Sequence, residues 1–480
     1  MTFSHSAIRS AALFVVSATG LAAAQAPALP APDRALARDL FKQLIEINSQ
    51  DSNGSVTAAA LAMRDRLAAA GFAASDLVIA GPNDRKQNLV ATYRGSSSAL
   101  KPILIICHLD VVEARREDWT TDPYQFVEKD GFFYGRGTQD IKEEDAQLVE
   151  NFIRLKREGW VPKRDIVIAL TADEEGGKSN GVDWLIRNRP ELTKADFVLN
   201  PDAGGLELRD GKPVKLSIEA TEKVYADYQV TTSNRGGHSS LPRPDNAIYQ
   251  LMHALEKLEA TPFPFELNEV TRASLAATEK VSTPERAALI RGILATPSDM
   301  KAVAEFSKDP GGNATLHTTC VATMLKGGHA PNALPGSAQA NVNCRILPGH
   351  SQEEIRQHLL TLFADPGITV EYVADNGDVL GKASDRKSFA PPPLREDVMT
   401  PLRQVTATMW PGIPVVPSMS AGASDSIITM AAGIPSYGVT AMGVDFDDDR
   451  AHGRDERLRV EAFYRGVEFY YLYLKALTRP

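Results

Sequence analysis

Apolar positions along the chain change their period in an ordered way. They recur at helical spacing over residues 34–47 and 56–70, and the second segment runs into Gly71, a residue suited to closing a helix. Short continuous apolar runs then predict buried strands at Leu89–Tyr93, Ile103–Cys107, Ile166–Thr171 and Phe197–Asn200, separated by helical segments at 141–158 and 181–189. Buried strands alternating with helices predict an α/β fold: a mostly parallel sheet with helices on both faces.

Near residue 221 the pattern shifts to strict alternation, which predicts half-buried strands at Val224–Thr232, Ala338–Ile346 and Ile368–Val373. Helices at 245–259 and 351–364 join them, and the Ala-, Glu- and Lys-rich stretch 270–310 also reads as helical. This is the signature of an antiparallel α+β unit with helices on one face. Ala390-Pro391-Pro392-Pro393 reads as a return linker, followed by a helix near 398–409, a strand at Ser436–Thr440 and a helix at 460–476. The predicted organisation is a first α/β part over 25–220, an inserted unit over 221–385, and a second α/β part over 386–480 that rejoins the first sheet.

Residues 1–24 differ from the rest. Arg9 precedes the apolar run Ala11–Ala24, and Ala22-Ala23-Ala24 offers a small-residue cleavage site, so the segment reads as an export signal peptide. It is too short for an ordinary membrane span, and no other stretch is long and apolar enough. The expected location is therefore periplasmic or secreted. The length of 480 residues calls for more than one core, in keeping with two domains. With 52 basic against 61 acidic residues the net charge is −9, which gives no reason to expect nucleic acid or an anionic membrane as partner. Cys107, Cys320 and Cys344 read as buried free thiols, and spacing alone leaves a Cys320–Cys344 disulfide open.

The chemistry-bearing residues follow strand ends. Ile103–Cys107 runs into His108-Leu109-Asp110, Ile166–Thr171 into Asp173-Glu174-Glu175, and Phe197–Asn200 into Pro201-Asp202-Ala203-Gly204-Gly205. In open α/β sheets the carboxyl edge is where ligand crevices form. Gly135-Arg136-Gly137-Thr138-Gln139-Asp140 opens the helix at 141–158, and Ala451-His452-Gly453 follows the acidic run Asp445–Asp449. Singly, each passes for something ordinary: Asp140 for a helix cap, Glu174-Glu175 for solvated charge, Asp202 for a turn residue. Together they mix imidazole and carboxylate as Zn²⁺ prefers, with Mn²⁺ or Co²⁺ as substitutes.

The ordered set HLD, GRGTQD, DEE, PDAGG and AHG resembles the dinuclear zinc exopeptidase and aminoacylase family, which includes carboxypeptidase G, carnosinase, carboxypeptidase S, aminoacylase and succinyl-diaminopimelate desuccinylase. The resemblance implies that His108 and Asp202 hold one metal, Glu175 and His452 the other, and that Asp140 bridges both. It implies Asp110 as the carboxylate orienting His108 and Glu174 as the general base that takes a proton from a metal-activated water. It makes the inserted unit a lid and dimerisation domain. In that unit His238, within Gly236-Gly237-His238-Ser239-Ser240, matches a histidine that crosses a dimer interface to the oxyanion. Asn332 and Arg345 match substrate-binding positions, Arg345 suiting a carboxylate, and Ser424, in Gly422-Ala423-Ser424-Asp425, stands where a threonine is common. The remaining histidines, His329 included, read as incidental.

Asp202 stands where aminoacylases and the glutamate-cleaving carboxypeptidase carry Glu. Asp at this position is similar to carnosinase-like dipeptidases and to the carboxypeptidase S and N-acyl-amino-acid hydrolase branch, and Trp119–Tyr124 resembles the latter. The expected function is thus a two-metal hydrolase of peptide or amide bonds in small substrates, carboxypeptidase- or dipeptidase-like, acting as a homodimer. The alternatives are an N-acyl-amino-acid amidohydrolase and, from another class, a metal-bearing binding protein without turnover.

Overall fold

A computed structural model describes residues 29–176, 178–374, 377–385, 388–445 and 447–479. The predicted signal peptide lies outside these residues.

A ten-stranded sheet forms the body of the protein. Its order is Leu77–Ala80, Asn88–Tyr93, Ile166–Thr171, Ile103–His108, Phe197–Asn200, Ser436–Gly438, Lys212–Glu222, Gly205–Arg209 and Gly443–Asp445, with Val415–Ser420 also pairing Lys212–Glu222. The strands at its centre, 103–108 with 166–171 and with 197–200, run parallel, as do 197–200 and 436–438. Period-two alternation fills both faces. Ile103, Ile105 and Cys107 pack into the larger core with helices Ala31–Ile45, Lys142–Arg157 and Val460–Leu477, while Leu104 and Ile106 pack opposite against helix Gly181–Asn188. Burial on both sides explains why these strands read as unbroken apolar runs.

The chain leaves this sheet after Lys212–Glu222 and re-enters it at Val415–Ser420. Between them an antiparallel sheet forms in the order Thr319–Gly327, Ser337–Ile346, Val224–Ser233, Ile368–Val373 and Val379–Leu380. Helices Ala247–Ala260 and Gln352–Phe363 cover one face and share its core of Tyr228, Val230, Val342 and Leu359. The region expected to be helical, 270–310, does form helices, but the first, Glu269–Glu279, packs back onto strand Val415–Ser420 and buries Val270 in the larger core. The inserted stretch is therefore tied to the body by more than its two crossings.

The preference for free thiols is corrected for two of the three cysteines. Cys320 and Cys344 stand directly opposite each other on neighbouring strands, with Cα atoms 4.1 Å apart, and are joined as a disulfide. Cys107 is free and buried. Among the described residues no helix is long and apolar enough to cross a membrane.

Candidate metal centre

Three parallel neighbours bring their carboxyl ends to one edge. His108 is the last residue of strand Ile103–His108, which pairs residue for residue with Ile166–Thr171 and so sets His108 beside Thr171, just before Asp173-Glu174-Glu175. Asp202 follows strand Phe197–Asn200 on the other side. Asp140 precedes helix Lys142–Arg157, whose positive end favours an anion there.

These side chains converge. One Asp140 carboxylate oxygen lies 3.0 Å from His108 Nε2 and the other 2.9 Å from His452 Nε2. His452 Nε2 is also 2.9 Å from a Glu175 oxygen, and His108 Nε2 is 3.8 Å from Asp202. Two groups, His108–Glu174–Asp202 and His108–Asp140–Glu175, each hold their ligand atoms within 4.8 Å of one another. Asp140 thus stands between two imidazoles, one oxygen to each, as a bridging carboxylate must.

The electrostatics suit cations. His108 Nε2 and Asp140 Oδ1 are fully buried and face each other at 3.0 Å without good hydrogen-bond geometry, so a shared cation would satisfy both. Burial alone would raise the Asp140 carboxyl, but the two histidines hold it well below the ordinary range. Hydrogen bonds to Asp140 and Glu175 push His452 up to about 10. Burial, with Asp202 beside it, pushes Glu174 up to about 10, and burial pushes Asp202 up to about 6. Divalent cations would relieve this crowding of carboxyls and imidazoles, and the imidazole and carboxylate donors fit Zn²⁺.

Asp110 is placed differently from the expectation in one respect. The nearest contact of His108 Nδ1 is the Asp110 carbonyl oxygen at 3.1 Å, with the carboxylate at 3.7 Å. The carboxylate instead accepts the backbone N–H groups of Glu174 at 3.2 Å and Glu175 at 3.1 Å. One residue therefore fixes both the imidazole and the two-glutamate loop.

The loop carrying His452 is gripped by the GRGTQD segment. Arg136 pairs with Glu456 at 2.6 Å and donates to the Gly453 carbonyl at 3.1 Å. The Gln139 N–H donates to Glu456 at 2.7 Å, and its side-chain oxygen accepts the Arg450 N–H at 2.7 Å. The clamp holds His452 at φ 61°, a strained value for a side-chain-bearing residue. Arg136 and Gln139 were missed because only the glycines and Asp140 of that motif suggested a role, and Glu456 because nothing near it in the sequence did.

Ser424 lines the same cavity of about 150 Å³ as Asp140, Glu174, Glu175, Asp202 and His452. Its N–H and Oγ donate to Glu222 at 2.8 and 3.1 Å. His238, Asn332 and Arg345 are not brought into the cluster. His238 is exposed, its Nδ1 2.7 Å from Ser240 Oγ, and its neighbour Ser239 donates its N–H to the Asn332 carbonyl at 3.1 Å. Arg345 lies over the Tyr225 ring, 4.8 Å from its centroid. Among the described residues none of the three shares a hydrogen bond or ion pair with the metal cluster.

Comparison with known proteins gives a family and a fold. The profile of Peptidase family M20/M25/M40 matches residues 104–476. An N-fatty-acyl-amino acid synthase/hydrolase of Homo sapiens is 30% identical over 391 residues, covering 79% of this chain and 74% of its own. A probable carboxypeptidase S-like protein of Dictyostelium discoideum is 28% identical, covering 81% and 74%. Among solved structures, an M20 family metallo-carboxypeptidase of Sulfolobus solfataricus aligns with a TM-score of 0.64 at 17% identity, covering 92% of this chain and 99% of that one. Human carnosine dipeptidase 1 aligns with a TM-score of 0.57 at 14% identity, covering 94% and 98%.

Proposed function

The chain belongs to Peptidase family M20/M25/M40 and is a metal-dependent peptidase or amidohydrolase, and on that premise we propose that it is a two-zinc exopeptidase acting on small peptides, with Glu174 as general base. The observation that carries this is Asp140, one oxygen 3.0 Å from His108 and the other 2.9 Å from His452. The residues present fit a pair of cations: His108 and Asp202 at one position, Glu175 and His452 at the other, Asp140 between. Two divalent ions there supply Lewis acidity, which acidifies water and polarises the scissile carbonyl.

The remaining steps belong to the chain. The Asp110 carboxylate, through the two backbone N–H groups it accepts, sets Glu175 toward His452 and leaves Glu174 facing the cavity. Glu174 takes the proton of the attacking water and delivers it to the leaving amine. Ser424, tied to Glu222, shapes the substrate side of the cavity. Substitution of Glu174 by Gln should lower kcat by about 10²–10⁴-fold with metal content unchanged, and a chelator should abolish turnover. An active Glu174→Gln protein, or one indifferent to chelation, would refute the assignment. A second function, N-acyl-amino-acid hydrolysis, is favoured by the human relative's name, and a panel of dipeptides against N-acyl amino acids separates the two.

We further propose a homodimer formed through the inserted unit. Thr319–Gly327 is an edge strand with Val321, Met324 and Leu325 exposed, and the adjoining helix exposes Tyr249 and Met252. An unpaired strand edge beside exposed apolar side chains is suited to pairing with a second copy. In such a dimer His238, Asn332 and Arg345 complete the partner's site, Arg345 binding a substrate carboxylate. Mixing dissociated Glu174→Gln and His238→Ala chains should restore part of the activity, and no recovery counts against the shared site. Export to the periplasm or exterior is supported by the Ala11–Ala24 run and by the Cys320–Cys344 disulfide. Secretion of a reporter fused to residues 1–24 tests it, and retention in the cytoplasm would overturn it.

A further inference from the structure

The wall of the metal cavity carries more carboxyl groups than two cations neutralise, and burial pushes Glu222 up to about 8 and, with Glu222 beside it, Glu219 well above the ordinary carboxyl range. Asp140, Glu174, Glu175, Asp202, Glu219 and Glu222 all line it, and no lysine or arginine does. Two divalent ions offset the first four. Glu219 and Glu222 are left over.

Both are free to meet a ligand. The Glu219 carboxyl makes no hydrogen bond or ion pair with any described residue and is partly open to the cavity. Glu222 is wholly buried, with one oxygen held by the N–H and Oγ of Ser424 and the other, Oε1, without a partner. A buried, unpaired carboxylate oxygen is costly unless something charged or hydrogen-bonding completes it. Lys223 does not, because its Nζ turns toward Thr319, 3.4 Å away.

The local backbone brings these two side chains to one side. Residues three apart on a regular strand face opposite ways. Here strand Lys212–Glu222 carries a bulge against Val415–Ser420: Ser418 pairs with Glu219 but Met419 with Thr221. The extra residue re-phases the alternation, so Glu219 and Glu222 both line the cavity. The space is small, about 150 Å³, well below the roughly 300–1,000 Å³ of sites for drug-sized ligands. It suits one compact residue with a cationic group at the metals.

We propose that Glu219 and Glu222 form a subsite for a substrate's free α-ammonium group, so that the enzyme selects unblocked dipeptides over N-acylated substrates. This rests on the metal-dependent exopeptidase assignment above. The ammonium's three N–H groups donate to the two leftover carboxylates while the carbonyl of the same residue sits at the metals. An acyl group in that position leaves both carboxylates uncompensated.

The test uses the full zinc-loaded chain with alanyl-leucine, N-acetyl-alanyl-leucine and N-dodecanoyl-leucine. The free dipeptide should be preferred in kcat/KM by at least about tenfold, the effect of one charge-assisted hydrogen bond. Glu219→Gln and Glu222→Gln, each nearly isosteric, should erase that preference while zinc content and circular dichroism stay as in the unaltered protein. Calorimetric binding of the same three compounds to the zinc-loaded Glu174→Gln protein gives a readout that needs no turnover, and the same order is expected. Equal or better binding of the acylated compounds would overturn the proposal, as would a preference untouched in both Gln variants. If none of the three is cleaved in a chelator-sensitive way, the exopeptidase assignment fails, and the binding order still decides the subsite.

Discussion

Asp110 is where one atom's change should be felt most widely. Its carboxylate accepts two backbone N–H groups, from Glu174 at 3.2 Å and Glu175 at 3.1 Å, and it is almost fully buried. In Asp110→Asn one acceptor oxygen remains and the other becomes an NH₂ group facing a backbone N–H. One charge-assisted bond is lost and a donor is set against a donor, a cost of about 1.5–3 kcal/mol with little solvent to soften it. Because the displaced loop carries both Glu175 and Glu174, the cost falls on ligand placement, and zinc affinity should drop by about 10–100-fold. Competition with a chromophoric chelator measures that affinity, and urea unfolding of the metal-free protein measures the fold separately. Unchanged zinc affinity with a lower unfolding midpoint would show instead that the carboxylate braces the fold without ordering the site.

Arg136→Ala removes the pairing with Glu456 and the bond to the Gly453 carbonyl, so the His452 loop should loosen. Occupancy of the second zinc should fall before that of the first in a metal titration, whereas equal loss of both would contradict the clamp. Burial pushes Glu150 up to about 8 from an ordinary value near 4.5, so the folded state keeps a proton that the unfolded chain releases. That group's stability contribution is full below about pH 4.5 and is lost as pH rises toward 8. Glu150→Gln should therefore gain on the unaltered protein by up to about 1.4 kcal/mol per pH unit across that window, read from urea midpoints at pH 5 and 7.5. A gain that shrinks with rising pH would contradict the sign.

Part of the candidate cluster was legible because three of its members stand at or just past strand ends. His108, Glu175 and Asp202 needed only parallel neighbours to converge, and the apolar runs before them foretold those neighbours. The helix Lys142–Arg157 was legible in its limits but not in its setting. Its polar residues Glu143, Glu144, Asp145, Gln147, Glu150 and Asn151 are all buried, a setting that nothing in the sequence announced. No period in the chain distinguishes a polar face turned inward from one turned outward. Strand Lys212–Glu222 was missed because its alternating polar residues resemble a surface hairpin, and its bulge depends on a partner strand some 200 residues later. His238, Asn332 and Arg345 carried a role by resemblance alone, which one chain's contacts do not supply.

We propose that five side chains hold two cations around one carboxylate, and zinc-edge anomalous scattering from crystals of the metal-loaded protein decides it. It should show two peaks flanking Asp140, one ligated by His108 and Asp202 and the other by Glu175 and His452. A single peak, or none among these residues in fully active protein, would contradict it.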